Sequence, residues 1–412
     1  MTFHRIAGLP ARLAAATVLA AAAASVASAA SVDVAAADNA FGFRLLNAVQ
    51  KTLPDTNVVL SPVSAALDLS VALNGADGET RQQMLDSLSL HGSALEALNT
   101  ANAQLIKVIR TPAKSITLAV AESLWVDSRR ATLRPEYIRQ TQAWYDAALT
   151  DLDFSSPRAA AQINGWASRE THGRITEVIQ RIDPGDLAFL LDAVYFKGEW
   201  AHKFDQAQTQ PGDFTVSGGS VKRIPRMVQA GRFTYFETPA LQAMRLPFGD
   251  GDLVMDILLP AQTSTLGALE ADLTPEHWRE WQAHYASRAG TLELPRFELK
   301  SRYRLNESLQ TLGMRRAFQP QRAQFAGMFS AAPAHSPAER FFISSVLQFT
   351  YWKVDEEGAE AAAVTSIGVR ATAVARPEQP FRMIVDRPFF CAIEDRRSGA
   401  LLFVGAIYDP AP

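Results

Sequence analysis

The chain has 412 residues, of which 48% are hydrophobic and 20% are charged, a balance typical of a globular protein with a large core. Its formal net charge is -3 at pH 7 and it contains no block of Lys and Arg, so the charge pattern of a nucleic-acid-binding protein is missing. The single cysteine excludes a disulfide within the chain. Because Cys391 lies in an apolar run without a basic neighbour, we expect a buried structural thiol.

The N-terminus has the pattern of a secretory signal peptide. Arg5 and Arg12 flank the start of an apolar run at residues 13–27, which ends in Ala27-Ser28-Ala29, the small-x-small pattern of a cleavage site. This predicts a signal peptide over residues 1–29 and a mature chain over 30–412, secreted or periplasmic and without membrane association. A membrane anchor is the weaker alternative, because the run is short, rich in alanine and followed by the cleavage pattern.

The first mature elements are a helix, a strand and a central helix. Residues 41–53 place apolar side chains at helical spacing, and residues 57–60 indicate a short strand. Ser61-Pro62 then supplies an N-cap and a first-turn proline. The helix that they begin is almost entirely apolar and ends at Asn74-Gly75, so we expect it to be buried.

The middle of the chain repeats this start signal. Ser156-Pro157 precedes a predicted helix that carries Ile163 and Trp166, and residues 187–196 form a continuous apolar run. Such a run is typical of a strand buried on both faces.

Strand patterns dominate after Phe214. Their spacing predicts hairpins and a meander, with strands at 213–216, 222–227, 233–236, 243–248 and 253–260. A helix with His277, Trp278 and Trp281 interrupts them. Residues 331–337 alone have linker composition, but strand patterns resume directly afterwards. We therefore predict a mixed, mostly antiparallel α+β fold in one large unit.

Residues 354–369 are the most informative segment, because a period of two divides them into two sets. The first set is small or apolar: Ala359, Ala361, Ala363, Thr365, Ile367 and Val369. The alternating set, which includes Glu360 and Arg370, carries all the charges. This is the pattern of a strand with one buried face, although polar, Gly- and Pro-containing residues flank it as they would flank a loop. An alanine-rich helix is the alternative.

At this point the chain resembles the serpins, whose reactive loop begins with Glu-Glu-Gly, a small residue, Glu and an alanine run. Further motifs of the family follow in its order through the rest of the mature chain. They are Asn57–Ser64, Leu73–Ala76, Asp192–Trp200, Leu294–Phe297, Leu312–Met314, Phe325–Met328, Asp386–Phe389 and Leu402–Gly405.

The resemblance implies three mostly antiparallel β-sheets with eight or nine helices and an exposed reactive-centre loop at about residues 356–380. It also implies a protease inhibitor that acts as a suicide substrate. A target serine protease, or a cysteine protease, cleaves the loop and remains covalently bound one to one, while the loop becomes an extra strand of the central sheet. A monomer is expected.

The resemblance assigns the hinge of the loop to Glu356, Glu357, Gly358, Ala359, Glu360, Ala361, Ala362 and Ala363. An inserted segment needs small side chains, no proline and no inward-facing charge. Ala359 stands where Thr or Ser is usual, but it is small and uncharged, so insertion should not be blocked. A non-inhibitory serpin that acts as a binding or chaperone-like module is the alternative.

Counting along the family's loop places the reactive bond between Thr372 and Ala373, with Ala371 as a near alternative. Small residues at these positions suit elastase- or subtilisin-like proteases. If the register shifts to Arg370, the target is a trypsin-like protease instead, because its pocket carboxylate requires a basic residue.

The resemblance also marks the region where the sheet must open. Ser61 and Ser64 match the family, but Asp192 replaces the usual Asn and Gln348 replaces the usual His. We expect Gln348 and the serine hydroxyls to donate hydrogen bonds to a buried Asp192; a solvent-exposed Asp192 is the alternative. Trp200 matches the tryptophan under the top of the sheet.

The sequence argues against an enzyme. It contains no Gly-x-Ser-x-Gly, no His-Glu-x-x-His and no cysteine pair, and its histidines are scattered. We therefore expect no catalytic residues, no metal and no cofactor.

Overall fold

The computed structural model describes residues 32–331, 341–358 and 379–411. The predicted signal peptide, nearly all of the linker-like stretch and most of the predicted reactive loop lie outside these residues.

Nine α-helices occur in the described part of the chain. They are α1 (Val34–Thr52), α2 (Pro62–Leu73), α3 (Gly78–Ser87), α4 (Leu95–Ile109), α5 (Pro135–Tyr145), α6 (Ala159–Glu170), α7 (Leu266–Ala271), α8 (Pro275–His284) and α9 (Asn306–Thr311). Over those residues, none of the helices is both long and apolar enough to cross a bilayer.

The described residues also contain sixteen strands. They are β1 (Val58–Leu60), β2 (Ile116–Asp127), β3 (Ala131–Leu133), β4 (Ala148–Leu152), β5 (Ala188–Gly198), β6 (Gln210–Thr215), β7 (Val221–Glu237), β8 (Leu241–Phe248), β9 (Leu253–Pro260), β10 (Ala286–Pro295), β11 (Phe297–Arg304), β12 (Phe329–Ala331), β13 (Ser345–Val354), β14 (Phe381–Ile384), β15 (Phe389–Asp395) and β16 (Ala400–Ile407).

These strands form three sheets. The nine-stranded sheet has the order β1-β16-β15-β9-β8-β7-β10-β14, with β6 paired to β7. The five-stranded sheet has the order β11-β13-β5-β2-β4, and β12 pairs with β3. Among the described strands, only β10 with β14, β13 with β5, and β2 with β4 are parallel. The predicted fold, with three mostly antiparallel sheets and eight or nine helices, is confirmed.

Helix α2 lies between the two large sheets, as its apolar sequence predicts. Ser61 is its N-cap and accepts a hydrogen bond from the Ser64 backbone, and Pro62 occupies the first turn, where no backbone N–H is needed. All twelve helical residues are buried. The helix packs against β16 on one side and against β5 and β2 on the other.

Strand β5 is buried on both faces, which confirms its prediction from the continuous apolar run. One face joins the main core around α2, and Leu190 and Val194 belong to it. The other face, with Leu191 and Tyr195, packs against Trp166 of α6. The five-stranded sheet therefore separates two apolar layers.

The predicted starts of two helices were wrong. Helix α1 begins at Val34, well before Phe41, because Asp33 caps it there. Helix α6 begins at Ala159, because the Ser156 hydroxyl accepts from the Arg158 backbone within a preceding turn instead of capping the helix.

The strand stretches 222–227 and 233–236 are parts of a single strand, β7. The residues between them, which include Gly231, continue the ladder to β10 without interruption. Their polar and small side chains indicated a break, whereas backbone pairing does not require apolar side chains.

Candidate functional site

The candidate site is the junction between the two central parallel strands of the five-stranded sheet, which we call the β5–β13 seam. Its register runs from Ser345 opposite Phe189 to Trp352 opposite Phe196. The chain leaves β13 at Val354, at the same end at which β5 finishes. The predicted hinge begins directly after this point.

The first hinge residues lie against the chain that follows β5. The carbonyl oxygen of Glu356 accepts a hydrogen bond from the Phe204 backbone at 2.9 Å, and that of Glu357 accepts from the Trp200 backbone at 3.0 Å. These contacts hold the beginning of the hinge at the end of the β5–β13 seam.

The side chain of Glu356 is fixed by two donors. Arg296 Nε lies 2.9 Å from Glu356 Oε1, and Thr209 Oγ1 donates to the same oxygen at 2.5 Å. Glu356 is only 2% exposed, so these partners compensate a charge that has lost its water. Sequence reasoning missed both partners, although Arg296 lies in one of the motifs that carry the family resemblance.

Trp200 lies against the first residues of the predicted hinge. Its indole Nε1 donates to the carbonyl oxygen of Asp355 at 2.8 Å. Its ring stacks on Phe248 with a centroid distance of 4.3 Å and an interplanar angle of 11°. The tryptophan thus joins the end of β13 to β8 in the nine-stranded sheet.

Gly358 is the last described residue before the loop, and its position requires glycine. Its φ is +93°, in the region that side-chain-bearing residues rarely adopt. A Cβ atom there would lie 2.3 Å from the Gly198 carbonyl oxygen and 2.4 Å from the Trp200 nitrogen. The close approach of the hinge to β5 therefore depends on the missing side chain.

A cavity of about 600 Å³ opens beside the hinge, and residues of β5, β11 and β13 contribute to its lining. The Arg174 guanidinium lies over the rings of Tyr195 and Tyr351, 5.9 and 5.6 Å from their centroids. Because Tyr195 belongs to β5 and Tyr351 to β13, this contact spans the β5–β13 seam.

The predicted sheet-opening residues meet farther down the β5–β13 seam, at the start of α2. Ser64 Oγ donates to Asp192 Oδ1 at 3.2 Å. The Gln348 side chain bonds both backbone groups of Ser61, accepting from its nitrogen at 3.0 Å and donating to its oxygen at 2.9 Å. Ser64 therefore contacts the carboxylate, and Gln348, whose side-chain hydrogen bond lowers the pKa of Asp192, also ties β13 to the N-terminus of α2.

The alternative of a solvent-exposed Asp192 is wrong, because this residue is 0% exposed. Burial raises the pKa of Asp192 well above its usual range, and its hydrogen bonds only partly oppose this shift. Two further buried acids, Asp68 of α2 and Glu122 of β2, face the same region. Sequence reasoning missed them, although a carboxylate inside an almost wholly apolar helix, as at Asp68, is a recognisable signal.

The remaining predicted site residues lie outside the described residues. They are Ala359–Ala363 of the hinge and Arg370, Ala371, Thr372 and Ala373 around the predicted reactive bond. Cys391 is buried as expected, and burial raises the pKa of its thiol. Within the described ranges, no cluster of His, Cys, Asp or Glu suitable for a metal ion occurs.

Comparisons with known proteins agree with this geometry. The family model described as "Serpin (serine protease inhibitor)" matches residues 36–410. The leukocyte elastase inhibitor of Sus scrofa is 32% identical over 389 residues, which cover 92% of this chain and 99% of that protein. Iripin-2 of Ixodes ricinus is 31% identical, with coverage of 90% and 92%.

Among solved structures, the thermophilic serpin Tengpin in its native state matches with a TM-score of 0.82 and 26% identity, covering 91% of this chain and 94% of that one. Thyroxine-binding globulin in complex with thyroxine also has a TM-score of 0.82, but its 20% identity supports the fold alone. The match of the family model over nearly the whole chain, together with the coverage of these relatives, shows that this chain belongs to the serpin family.

Proposed function

We propose that the chain inhibits serine proteases as a suicide substrate. A protease cleaves the reactive loop, and its catalytic residue becomes acylated by the new C-terminal end of the loop. The loop then enters the β5–β13 seam as an additional strand and carries the bound protease with it. The inhibitor contributes no catalytic residue, and the product is a covalent one-to-one complex of a monomer with its target.

One observation carries this proposal: β5 and β13 are parallel neighbours, and the chain leaves β13 at the end of their shared ladder. A loop that reversed its direction after Gly358 and entered between them would be antiparallel to both strands. One parallel ladder would then be replaced by two antiparallel ladders, which are slightly more stable per residue. The same reversal requires a residue that tolerates positive φ, as Gly358 does.

Composition and length of the loop support insertion. One face of the β5–β13 seam joins the main core around α2, so the side chains that an inserted strand turns toward that face must be small and uncharged, as those of Ala361 and Ala363 are. The ten residues of β13 span about 33 Å, and the stretch from Gly358 to Thr372 extends to about 46 Å at 3.3 Å per residue. The loop is therefore long enough to fill the whole β5–β13 seam.

The reactive bond that we propose joins Thr372 to Ala373, which suits an elastase- or subtilisin-like target. Similarity to proteins named leukocyte elastase inhibitor from two mammals supports this class of target. Arg370 as the reactive residue, with a trypsin-like target, and cleavage after Ala371 are the alternatives that the experiment must distinguish.

The experiment mixes the purified protein with elastase-, subtilisin- and trypsin-like proteases and separates the products by denaturing electrophoresis. We expect a one-to-one adduct that survives denaturation, and mass analysis of the released C-terminal fragment locates the reactive bond. Clipped chain without any adduct would contradict the proposal and would favour a non-inhibitory binding module.

A matched pair of loop variants tests whether insertion is the cause of trapping. Ala361→Asp places a charge on the face that we expect to be buried, so it should convert the inhibitor into a substrate that is cleaved without an adduct. Ala362→Asp places the same charge on the alternate face, beside Glu360, and should retain the adduct. Equal behaviour of the two variants would contradict the proposed strand register.

We also propose that residues 1–29 direct export and that residues 30–412 form the functional domain, in the periplasm or outside the cell. Expression in a bacterial host followed by N-terminal sequencing tests this directly. We expect a mature N-terminus at Ala30, whereas a retained leader in the exported protein would contradict the proposal.

A further inference from the structure

Three buried carboxyl groups lie together beneath the β5–β13 seam, and we call Asp68, Glu122 and Asp192 the acid cluster. Asp68 and Asp192 are 0% exposed and Glu122 is 2% exposed. In the five-stranded sheet, Glu122 of β2 lies directly opposite Asp192 of β5, which in turn lies opposite Gln348 of β13. The side chains of this row share one face of the sheet, the face that α2 covers.

The acid cluster has too few hydrogen-bond donors for three ionised carboxylates. Among the described residues, neither oxygen of Asp68 has a partner, and Asp192 Oδ2 and Glu122 Oε1 also lack one. The groups that favour the charged forms are Ser64 Oγ at 3.2 Å from Asp192, the Gln348 side chain beside Asp192, and Arg110 at 3.4 Å from Glu122, which also has a backbone hydrogen bond. Such unmet acceptors would be costly if all three groups carried charge.

The elements packed around the acid cluster add little compensating charge. Arg110, at the end of α4, supplies a positive charge, but it also bonds the exposed Asp146. From α5, Tyr137 donates its hydroxyl proton to the Val71 carbonyl oxygen of α2. Helix α1, which also packs against α2, contributes a further buried acid, Asp38.

The remaining neighbours of α2 are neutral where they face it. Strand β16 is buried and apolar throughout, and the buried residues of α3 carry no charge. From β13, Gln348 presents a neutral amide. One guanidinium thus faces three carboxyl groups, so the acid cluster would carry excess negative charge if all three groups were ionised.

Protonation of the carboxyl groups would remove this excess negative charge. Burial raises the pKa of Glu122 to about 8, and it raises the pKa values of Asp68 and Asp192 well above their usual range, with mutual repulsion adding to the shift. A protonated carboxyl group also becomes a donor, which the acceptors of its neighbours require.

We propose that the acid cluster holds protons while the β5–β13 seam is closed and releases them to water when β5 and β13 separate, so that rising pH favours opening. Each released proton leaves a hydrated carboxylate behind and no other bond changes. The inference goes beyond inhibition itself, because it concerns the resting protein and needs no protease.

Proton linkage determines the direction in which pH shifts the opening equilibrium. In the open state, hydrated carboxyl groups lose their protons near their ordinary pKa, whereas in the closed state Glu122 retains its proton up to a pKa of about 8. Between these limits, opening releases protons, and its equilibrium constant rises about tenfold per pH unit for each proton released. Above a pH of about 8, Glu122 has lost its proton in the closed state as well and adds no further pH dependence.

Hydrogen exchange of the intact protein between pH 5.5 and 9 tests the proposal. Rates are converted to protection factors, which removes the intrinsic pH dependence of exchange. We expect protection of residues 189–196 and 345–352 to fall by at least about tenfold per pH unit, one decade for each proton released, up to about pH 8. The β8–β9 hairpin, at 241–260, should lose clearly less protection over the same range.

Neutral variants provide the decisive comparison. Asp68→Asn/Glu122→Gln/Asp192→Asn should abolish the fall in protection, and single Asp68→Asn should weaken it if the triple variant does not fold. Asp38→Asn, a buried acid outside the acid cluster, is the matched control and should retain the fall. The proposal would be overturned if protection in the wild type did not depend on pH, or if the hairpin lost as much protection as the β5–β13 seam. It would also be overturned if the neutral variants lost protection with pH as the wild type does.

This readout is separate from protease trapping. A protein that forms no adduct with any protease but shows the pH-dependent exchange would keep the acid-cluster inference and lose the proposed function. The reverse result would keep the function and remove the inference.

Discussion

At the hinge, one buried carboxylate decides how firmly the end of β13 is held. Glu356 joins Arg296 and Thr209 through its side chain and Phe204 through its backbone. Hydrogen bonds to charged groups contribute about 1.5–3 kcal/mol each, more than neutral ones, and the loss of one partner leaves the others unmet. We therefore expect the stability of the closed protein to respond to this residue.

Glu356→Gln should lower the free energy of unfolding by about 1–3 kcal/mol, because the amide keeps the shape of the side chain but loses its charge. Denaturant titration measures this change. Asp213→Asn breaks the exposed pair with Arg223, in which both side chains are 66% exposed, and should change stability by less than about 1 kcal/mol. Equal effects of the two variants would contradict the role of the buried pair.

Gly358→Ala tests the close approach of the hinge to β5. The substitution combines the cost of positive φ with a Cβ contact 2.3 Å from the Gly198 carbonyl oxygen, so it should lower the free energy of unfolding by more than about 1 kcal/mol. It should also expose the hinge to limited proteolysis.

Gly219→Ala is the matched control for this prediction. Gly219 has φ of +87° and no atom within 4 Å of its Cβ position, so its substitution carries the backbone cost alone. The difference between the two variants isolates the steric contact. A Gly358→Ala variant no less stable than Gly219→Ala would show that the hinge does not rest against β5.

At the scale of elements, the contact between α7 and the end of β16 predicts a pH-dependent stability. Tyr408, directly after β16, donates its hydroxyl proton to Glu270 Oε2 at 3.2 Å, and Asn47 of α1 donates to the Glu270 carbonyl oxygen. Burial raises the pKa of Glu270 to about 7. This carboxyl group therefore stays protonated in the folded chain over a range in which the unfolded chain has released the proton.

Because of this difference, wild-type stability should fall as pH rises from about 4.5 to about 7 and should not fall further from this group. Glu270→Gln has no titratable carboxyl group at this position. Its free energy of unfolding should therefore rise by about 1–3 kcal/mol relative to that of the wild type over this pH interval, since one pKa unit corresponds to about 1.4 kcal/mol. Denaturant titrations at several pH values measure the two curves. Parallel curves would contradict the raised pKa of Glu270.

Local elements were more predictable than the contacts between them. Ser61-Pro62 marked the start of α2, and the apolar run at 187–196 identified β5, because capping and two-sided burial leave a local pattern. By contrast, no local sequence pattern indicated the partners of Glu356 or the pairing of Glu122 with Asp192. Those contacts join residues far apart in the chain, and strand register, which no short segment determines, places them together.

The hydrogen bonds of Gln348 show the same limit. The sequence predicted Gln348 as a donor to Asp192, and its hydrogen bond does lower the pKa of Asp192, but the same amide also bonds the Ser61 backbone at the N-terminus of α2, which the sequence did not indicate. Whether a side chain meets one acceptor or its neighbour is decided over a few ångströms of packing, which residue identity alone does not specify.

For the whole molecule, the proposed inhibition requires a difference in free energy between two arrangements of the same chain. In the structure, β5 and β13 pair directly with each other. In the proposed second state, the cleaved loop lies between them. That second state gains two antiparallel ladders and buries the alternating small side chains from Ala359 to Val369. Cleavage would separate the two ends of the loop and so free the segment after Gly358 to enter the β5–β13 seam.

The most direct measurement is thermal unfolding of the protein before and after its loop is cut by a protease that it does not trap. We predict a higher melting temperature after cleavage, by about 10 °C or more, because about 1 kcal/mol corresponds to about 2 °C in a large domain and insertion should contribute several kcal/mol. The Ala361→Asp variant should show little of this increase. A melting temperature that stays the same or falls after cleavage of the wild type would contradict the account.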